Sequence, residues 1–212
     1  MKTFAKEIVA KATNGTIDEN SLEFRRMVFG IEVIISELSK FTMYGIIFAL
    51  LGRFWEYVFA VAVLAPLRVY MGGYHAKTYW GCFAATLSTF FIVLYLPELF
   101  TLNIIAIVGI TIVGLGAICW LAPVDTANIP IRDLKVRRRS KIRAFVVFSI
   151  WGVVSVLLNF SEFTLNLWGN MYIHFNQYHA DVASLTMLIT TLLLPIGILN
   201  ERVIASKKSS NI

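Results

Sequence analysis

The chain has 212 residues, 58% of them hydrophobic and 15% charged, with a mean hydropathy of +0.71. A soluble domain is about 45–50% apolar, so this composition excludes an ordinary soluble protein and predicts an integral membrane protein. The net charge of +6 would suit a nucleic-acid binder, but its placement along the chain points to membrane topology instead and predicts no nucleic-acid partner.

Residues 1–27 read as an amphipathic arm. Phe4, Ile8 and Val9 fall at helical spacing, with Lys2, Lys6 and Lys11 around them. That pattern predicts a helix lying on the anionic cytoplasmic leaflet, with membrane lipid as a partner. The mixed Lys, Glu and apolar residues of the first 20 positions give no sign of a removable signal peptide.

Six apolar segments follow, read against the roughly 20 residues a span requires. They are Val28–Gly52, Phe54–Leu67, Trp80–Leu96, Leu99–Leu121, Arg143–Phe160 and Ala180–Leu199. The first carries Glu32, Ser36 and Lys40 at i, i+4 and i+8, with Glu37 beside them. Lipid does not tolerate such a stripe, so it faces the bundle interior or a wet cavity. The alternative is an interfacial helix tilted to wet the stripe. Six crossings put every Lys and Arg of the 19 on one face, except Arg53 outside and Lys40 within the first span. The positive-inside rule makes that face cytoplasmic, with both termini on it. Merging residues 41–65 into one span would bury Arg53 and Glu56, at about 2.5–3.5 kcal/mol per charge. The expected fold is therefore an all-α, six-span membrane protein forming a single domain over residues 1–212.

Between the second and third spans lies a polar island, Arg68 to Cys82. It holds one of the three His and one of the two Cys of the chain. The preceding segment, about 14 residues at 1.5 Å rise, covers only ~21 Å of a ~30 Å hydrocarbon core. That predicts an island recessed into the cytoplasmic half of the bilayer. A Cys seven residues after a His, behind Gly72-Gly73, has the makings of an activated thiol. On an unbroken helix, His75 and Cys82 would sit about 10.5 Å apart along the axis, too far for proton transfer over roughly 2.6–3.2 Å. The chain must bend between them. Thr78 is a good N-cap, with Tyr79 as the first helical residue. Cys82 then falls in or just after the first turn, where the helix dipole and free amides favour a thiolate. Gly72-Gly73 frees the backbone for His75 to fold back. Cys82 would be the nucleophile and His75 its proton partner. Arg68 would support the oxyanion or anchor a lipid phosphate.

Cys119, deep in an apolar run beside Trp120, reads as a small packing residue. No third ligand sits at zinc spacing around the island, so no metal and no cofactor are expected. The segment Arg132–Arg143 sets seven basic residues (Arg132, Lys135, Arg137, Arg138, Arg139, Lys141, Arg143) against Asp133. It reads either as a funnel for an acidic peptide tail or as a topology signal that binds anionic lipid. The aromatic-rich outer loop, residues 159–179, reads as an interfacial belt.

Two ordered motifs resemble one family. Arg68, Gly72-Gly73-Tyr-His75-Ala-Lys-Thr78 and Cys82 resemble the active-site segment of the accessory gene regulator protein B (AgrB) family. Ala122-Pro123-Val-Asp-Thr126-Ala-Asn-Ile-Pro130 resembles that family's proline-bracketed segment before a basic run. The resemblance implies a bacterial cell-membrane cysteine endopeptidase with a Cys82–His75 dyad, for which Arg68 and Gly73 are also needed. It implies as substrate an AgrD-like quorum-sensing propeptide, with an amphipathic N-terminal helix and an acidic C-terminal tail. Cleavage near the C-terminus through a Cys82 thioester would lead to a thiolactone, or to a lactone if the internal nucleophile is Ser. A homodimer is among the possible assemblies. The competing reading is a peptide exporter using the stripe of the first span; it predicts repeated halves with broken helices, and the sequence has no such repeat.

Overall fold

A computed structural model describes residues 2–13, 17–19, 21–72, 78–124, 134–161, 163–168 and 171–209. Its helices are α1 (Lys2–Ala12), α2 (Leu22–Leu50), α3 (Phe54–Met71), α4 (Tyr79–Leu99), α5 (Ile104–Leu121), α6 (Leu134–Phe160) and α7 (Gln177–Ser209). Six of these, α2 to α7, are long and apolar enough to cross a membrane. The helical, six-span expectation is met in number and order, and suits a multi-pass membrane protein.

One element departs from an all-α fold. The strands β1 (Phe163–Trp168) and β2 (Met171–Phe175) pair antiparallel, with Phe163 opposite Phe175 and Leu165 opposite Ile173. They occupy the segment expected to be an aromatic loop. Both runs are rich in strand-forming residues, and the two residues between them in sequence, Gly169-Asn170, are a hairpin signal.

The chain divides into two compact units, residues 1–54 and 55–212. In the first, Ser21 caps α2 by accepting from the Phe24 amide at 3.0 Å. The helix therefore starts six residues before the expected Val28, with Arg25 and Arg26 inside it. Ala5 and Val9 of α1 bury against Phe24 and Val28 of α2. Phe4, expected on the same apolar face, is exposed, as a residue that meets lipid would be. On α2, Glu32 and Ser36 are half-buried and Lys40 is buried, while Val33, Ile34 and Leu38 are exposed. The polar stripe thus turns away from the exposed side, and Glu37 forms an ion pair with Lys40. Gly52, at φ 71°, ends the helix as its amide and that of Arg53 return to the Ala49 and Phe48 carbonyls.

In the second unit, α3 extends four residues past the expected Leu67. At 18 residues and 1.5 Å rise it reaches about 27 Å, so the shortness that argued for a recessed island largely disappears. Arg68 belongs to the last turn of α3, not to a loop. Helix α4 runs through Pro97 to Leu99, without the one ladder bond that an N–H at position 97 would have made. Helix α5 begins where Asn103 accepts from the Ala106 amide at 2.8 Å.

The core joins Val63, Leu67 and Met71 of α3, Ile118 of α5, Ala144 and Phe148 of α6, and Ala183, Met187 and Leu194 of α7. Gly114 leaves room for the Phe148 ring, where a Cβ would collide with it. The span of α7 is the most buried, at 56% against 39% or less for the others, which makes it central. Its buried Thr186, Thr190 and Thr191 return their hydroxyls to carbonyls four residues back, so none of these three hydroxyl protons goes without a partner, whereas the buried Ser184 Oγ has none.

Candidate active site

Helices α3 and α4 bring the described residues of the island together. Thr78 adopts φ −114° and ψ 149°, and its Oγ1 accepts from the Gly81 amide at 3.1 Å. The Cys82 amide donates to the Thr78 carbonyl at 3.0 Å. Tyr79 is thus the first helical residue and Cys82 closes the first turn, as the capping argument predicts. Cys82 is buried, at 7% exposure.

Arg68 reaches across from α3. Its Nη2 lies 3.9 Å from the Cys82 Sγ, and its Nη1 donates to Thr86 Oγ1 at 3.2 Å. Cys82 and Thr86 are four residues apart on α4 and share a face. One guanidinium therefore spans two side chains on a single helix turn. Thr86 was not singled out from the sequence. The available signal was its spacing: a hydroxyl one turn beyond the cysteine in an otherwise apolar run.

The backbone turns immediately after Arg68. Gly72 sits at φ +72°, a conformation that favours glycine. A Cβ there would lie 2.7 Å from the Val124 carbonyl oxygen. The Val124 amide donates to the Met71 carbonyl at 3.0 Å. The start of the proline-bracketed segment after α5 is thereby fastened to the end of α3. Ala122 and Val124 are buried in the same core as Met71, and the Ala122–Pro123 peptide bond is cis. Gly73 and His75 lie outside the described residues, as do Lys77, Arg132 and the rest of the proline-bracketed segment.

The basic run is not a loop where it is described. Lys135, Arg137, Arg138, Arg139, Lys141 and Arg143 occupy the first turns of α6. Cations at a helix N-terminus oppose the helix dipole, so helix stability alone does not ask for them there. Apart from the half-buried Lys141, these residues are exposed. Lys141 donates to the carbonyl of Cys119, and Arg143 lies 5.9 Å over the ring of Tyr70 in α3. That contact is within cation–π range and sets the basic turns against the helix that carries Arg68. Cys119 itself is exposed rather than packed: it falls on the outward side of α5, while Ile118 faces the core. Among the described residues, no cluster of three His, Cys, Asp or Glu could hold a metal ion.

The comparisons agree with one another. A family model described as accessory gene regulator B matches residues 2–198. The chain is 26% identical to an AgrB-like protein of Clostridium beijerinckii, over 62% of this chain and 65% of that protein. It is 24% identical to AgrB-like protein 1 of Clostridium perfringens, over 74% and 83% of the two chains. It is 26% identical to accessory gene regulator protein B of Staphylococcus saprophyticus, over 74% and 82%. The first alignment thus spans just under two thirds of the relative's own length. No solved structure gives a significant match. A match across nearly the whole chain, on a six-span helical architecture with a capped cysteine, assigns this protein to the accessory gene regulator B family.

Proposed function

We propose that this chain is a membrane cysteine endopeptidase that processes an AgrD-like signalling propeptide. Family membership implies a role in accessory gene regulator quorum sensing, in the processing of its peptide. The cysteine mechanism is our reading of the site. The observation that carries it is the Arg68 guanidinium set against the Cys82 sulfur at the first turn of α4. A cation and a helix N-terminus together favour negative charge on that sulfur, the form in which a thiol attacks.

Cys82 attacks the scissile carbonyl, and His75 accepts the thiol proton. As the carbon–nitrogen bond breaks, His75 returns that proton to the leaving amine, and the peptide remains as a thioester on Cys82. Amides at the start of α4 and Arg68 stabilise the oxyanion. An internal thiol of the peptide then exchanges one thioester for another, releasing a thiolactone and restoring Cys82. An internal Ser would give a lactone. The exposed basic turns of α6 attract the acidic tail of the propeptide. This reading places the site toward the cytoplasm, where the Lys and Arg distribution puts the island. The Glu37–Lys40 pair gives Lys40 of the stripe on α2 a structural role, and the lack of repeated halves in the sequence argues against an exporter.

Coexpression with a propeptide tests the proposal. Cys82→Ala and His75→Ala each abolish cleavage while membrane insertion is kept, and Cys119→Ala processes normally. Normal cleavage by the Cys82 variant would end the mechanism.

A further inference from the structure

We infer that Thr86 is a positioning residue for the thiol: its hydroxyl holds the Arg68 guanidinium at the Cys82 sulfur. The inference rests on the peptidase reading for its meaning, but not for its geometry. Arg68 projects from α3, whereas Cys82 and Thr86 project from one face of α4. The guanidinium has five N–H donors in a rigid fork and cannot shed its charge. Placed between two helices of an apolar bundle, it turns toward whichever acceptors are present. A sulfur is a weak acceptor and orients a guanidinium less strictly than a hydroxyl oxygen does. A second contact one turn further along the same helix fixes both its position and its tilt.

The contrast with six other helical hydroxyls supports this assignment. Thr89, Thr111, Ser155, Thr186, Thr190 and Thr191 all donate to the carbonyl four residues back in their own helix. That is the usual way a buried hydroxyl is satisfied without a partner helix. Thr86, at 7% exposure, instead accepts from Arg68. Its role is to receive a cation from α3 across the helix pair.

The test reads the thiol directly. In a Cys119→Ala background, Cys82 is the sole cysteine, and its alkylation by iodoacetamide is followed at neutral pH without any propeptide. Thr86→Val keeps the shape and removes the acceptor. It is expected to slow alkylation about tenfold, the scale of one lost hydrogen bond to a charged group. In propeptide cleavage the same change lowers kcat and leaves KM nearly unchanged. Thr86→Ser restores both. Once Arg68 is replaced by Gln, adding Thr86→Val has no further effect, because the two residues act through one contact. Parent-like alkylation in Thr86→Val overturns the inference, and so does a Thr86→Ser variant as slow as the valine, or additive effects with Arg68→Gln. If alkylation depends on the hydroxyl in a chain that cleaves no propeptide, the positioning role stands and the peptidase reading falls.

Discussion

Two polar clusters among the described residues of 55–212 use their polarity differently. Where α3 meets α4, a buried cysteine and threonine share one arginine, side chain to side chain. Around the start of α7, the partners are mostly backbone. The fully buried Asp181 accepts from the Leu102 amide at 3.3 Å. Tyr178 donates to the Leu94 carbonyl at 2.7 Å, and Gln177 to the Leu102 carbonyl at 3.4 Å. His179 packs against the Phe59 ring and shares a hydrogen bond with Asn176. The Asp181 and Gln177 contacts answer both backbone groups of Leu102, in the link between α4 and α5, which would otherwise go without partners. A polar cluster that answers backbone groups closes a fold. One that sets a cation beside a sulfur suits the chemistry proposed for Cys82.

Three changes probe that contrast, beginning with the largest effect. Gly72→Ala strikes the turn behind Arg68. The left-handed backbone alone costs a residue with a side chain about 1–2 kcal/mol, and the new Cβ runs into the Val124 carbonyl. Propeptide cleavage should be nearly lost, whereas Gly109→Ala, with open space around it, should cleave like the parent. Parent-like cleavage by Gly72→Ala would detach the turn from the site.

Asp181→Ala leaves the Leu102 amide unanswered and should cost about 1–3 kcal/mol of stability, read as a lower midpoint of thermal unfolding in detergent. Cleavage per folded molecule should hold. A fall in kcat with unchanged stability would erase the distinction between the two clusters.

The smallest effect is expected from replacing Arg137, Arg138 and Arg139 with Gln. Insertion is checked first, because these residues also contribute to orientation. Binding of an acidic-tailed propeptide should weaken several-fold at low salt, and its salt dependence should flatten. Turnover at saturating substrate should move less. Unchanged affinity and salt response would return the basic turns to a topology signal alone.

What could be read without the structure was carried by neighbours in the chain. Hydropathy over about 20 residues marked the six spans, and Thr78 announced the start of α4, so the place of Cys82 in its first turn followed from local capping. The hairpin carried a local signal as well, but a run of aromatics beside a membrane segment reads more readily as an interfacial belt. The continuation of α3 through Arg68, and of α6 back to Leu134, was hidden by charge. Polar residues mark where an apolar stretch ends, yet a helix continues for as long as its backbone ladder is intact.

The partners of Arg68 could not be read this way. Cys82 and Thr86 lie 14 and 18 residues beyond it, and the three meet only because particular faces of α3 and α4 turn toward each other. The same holds for Val124 on Gly72, which joins two motifs more than 50 residues apart. The class, the spans, the cap and the candidate nucleophile were legible from the chain alone, because each depends on residues close together in it. The tertiary structure decided which cation meets the sulfur, which hydroxyl steadies it and what holds the turn behind it, because those contacts depend on how whole helices pack.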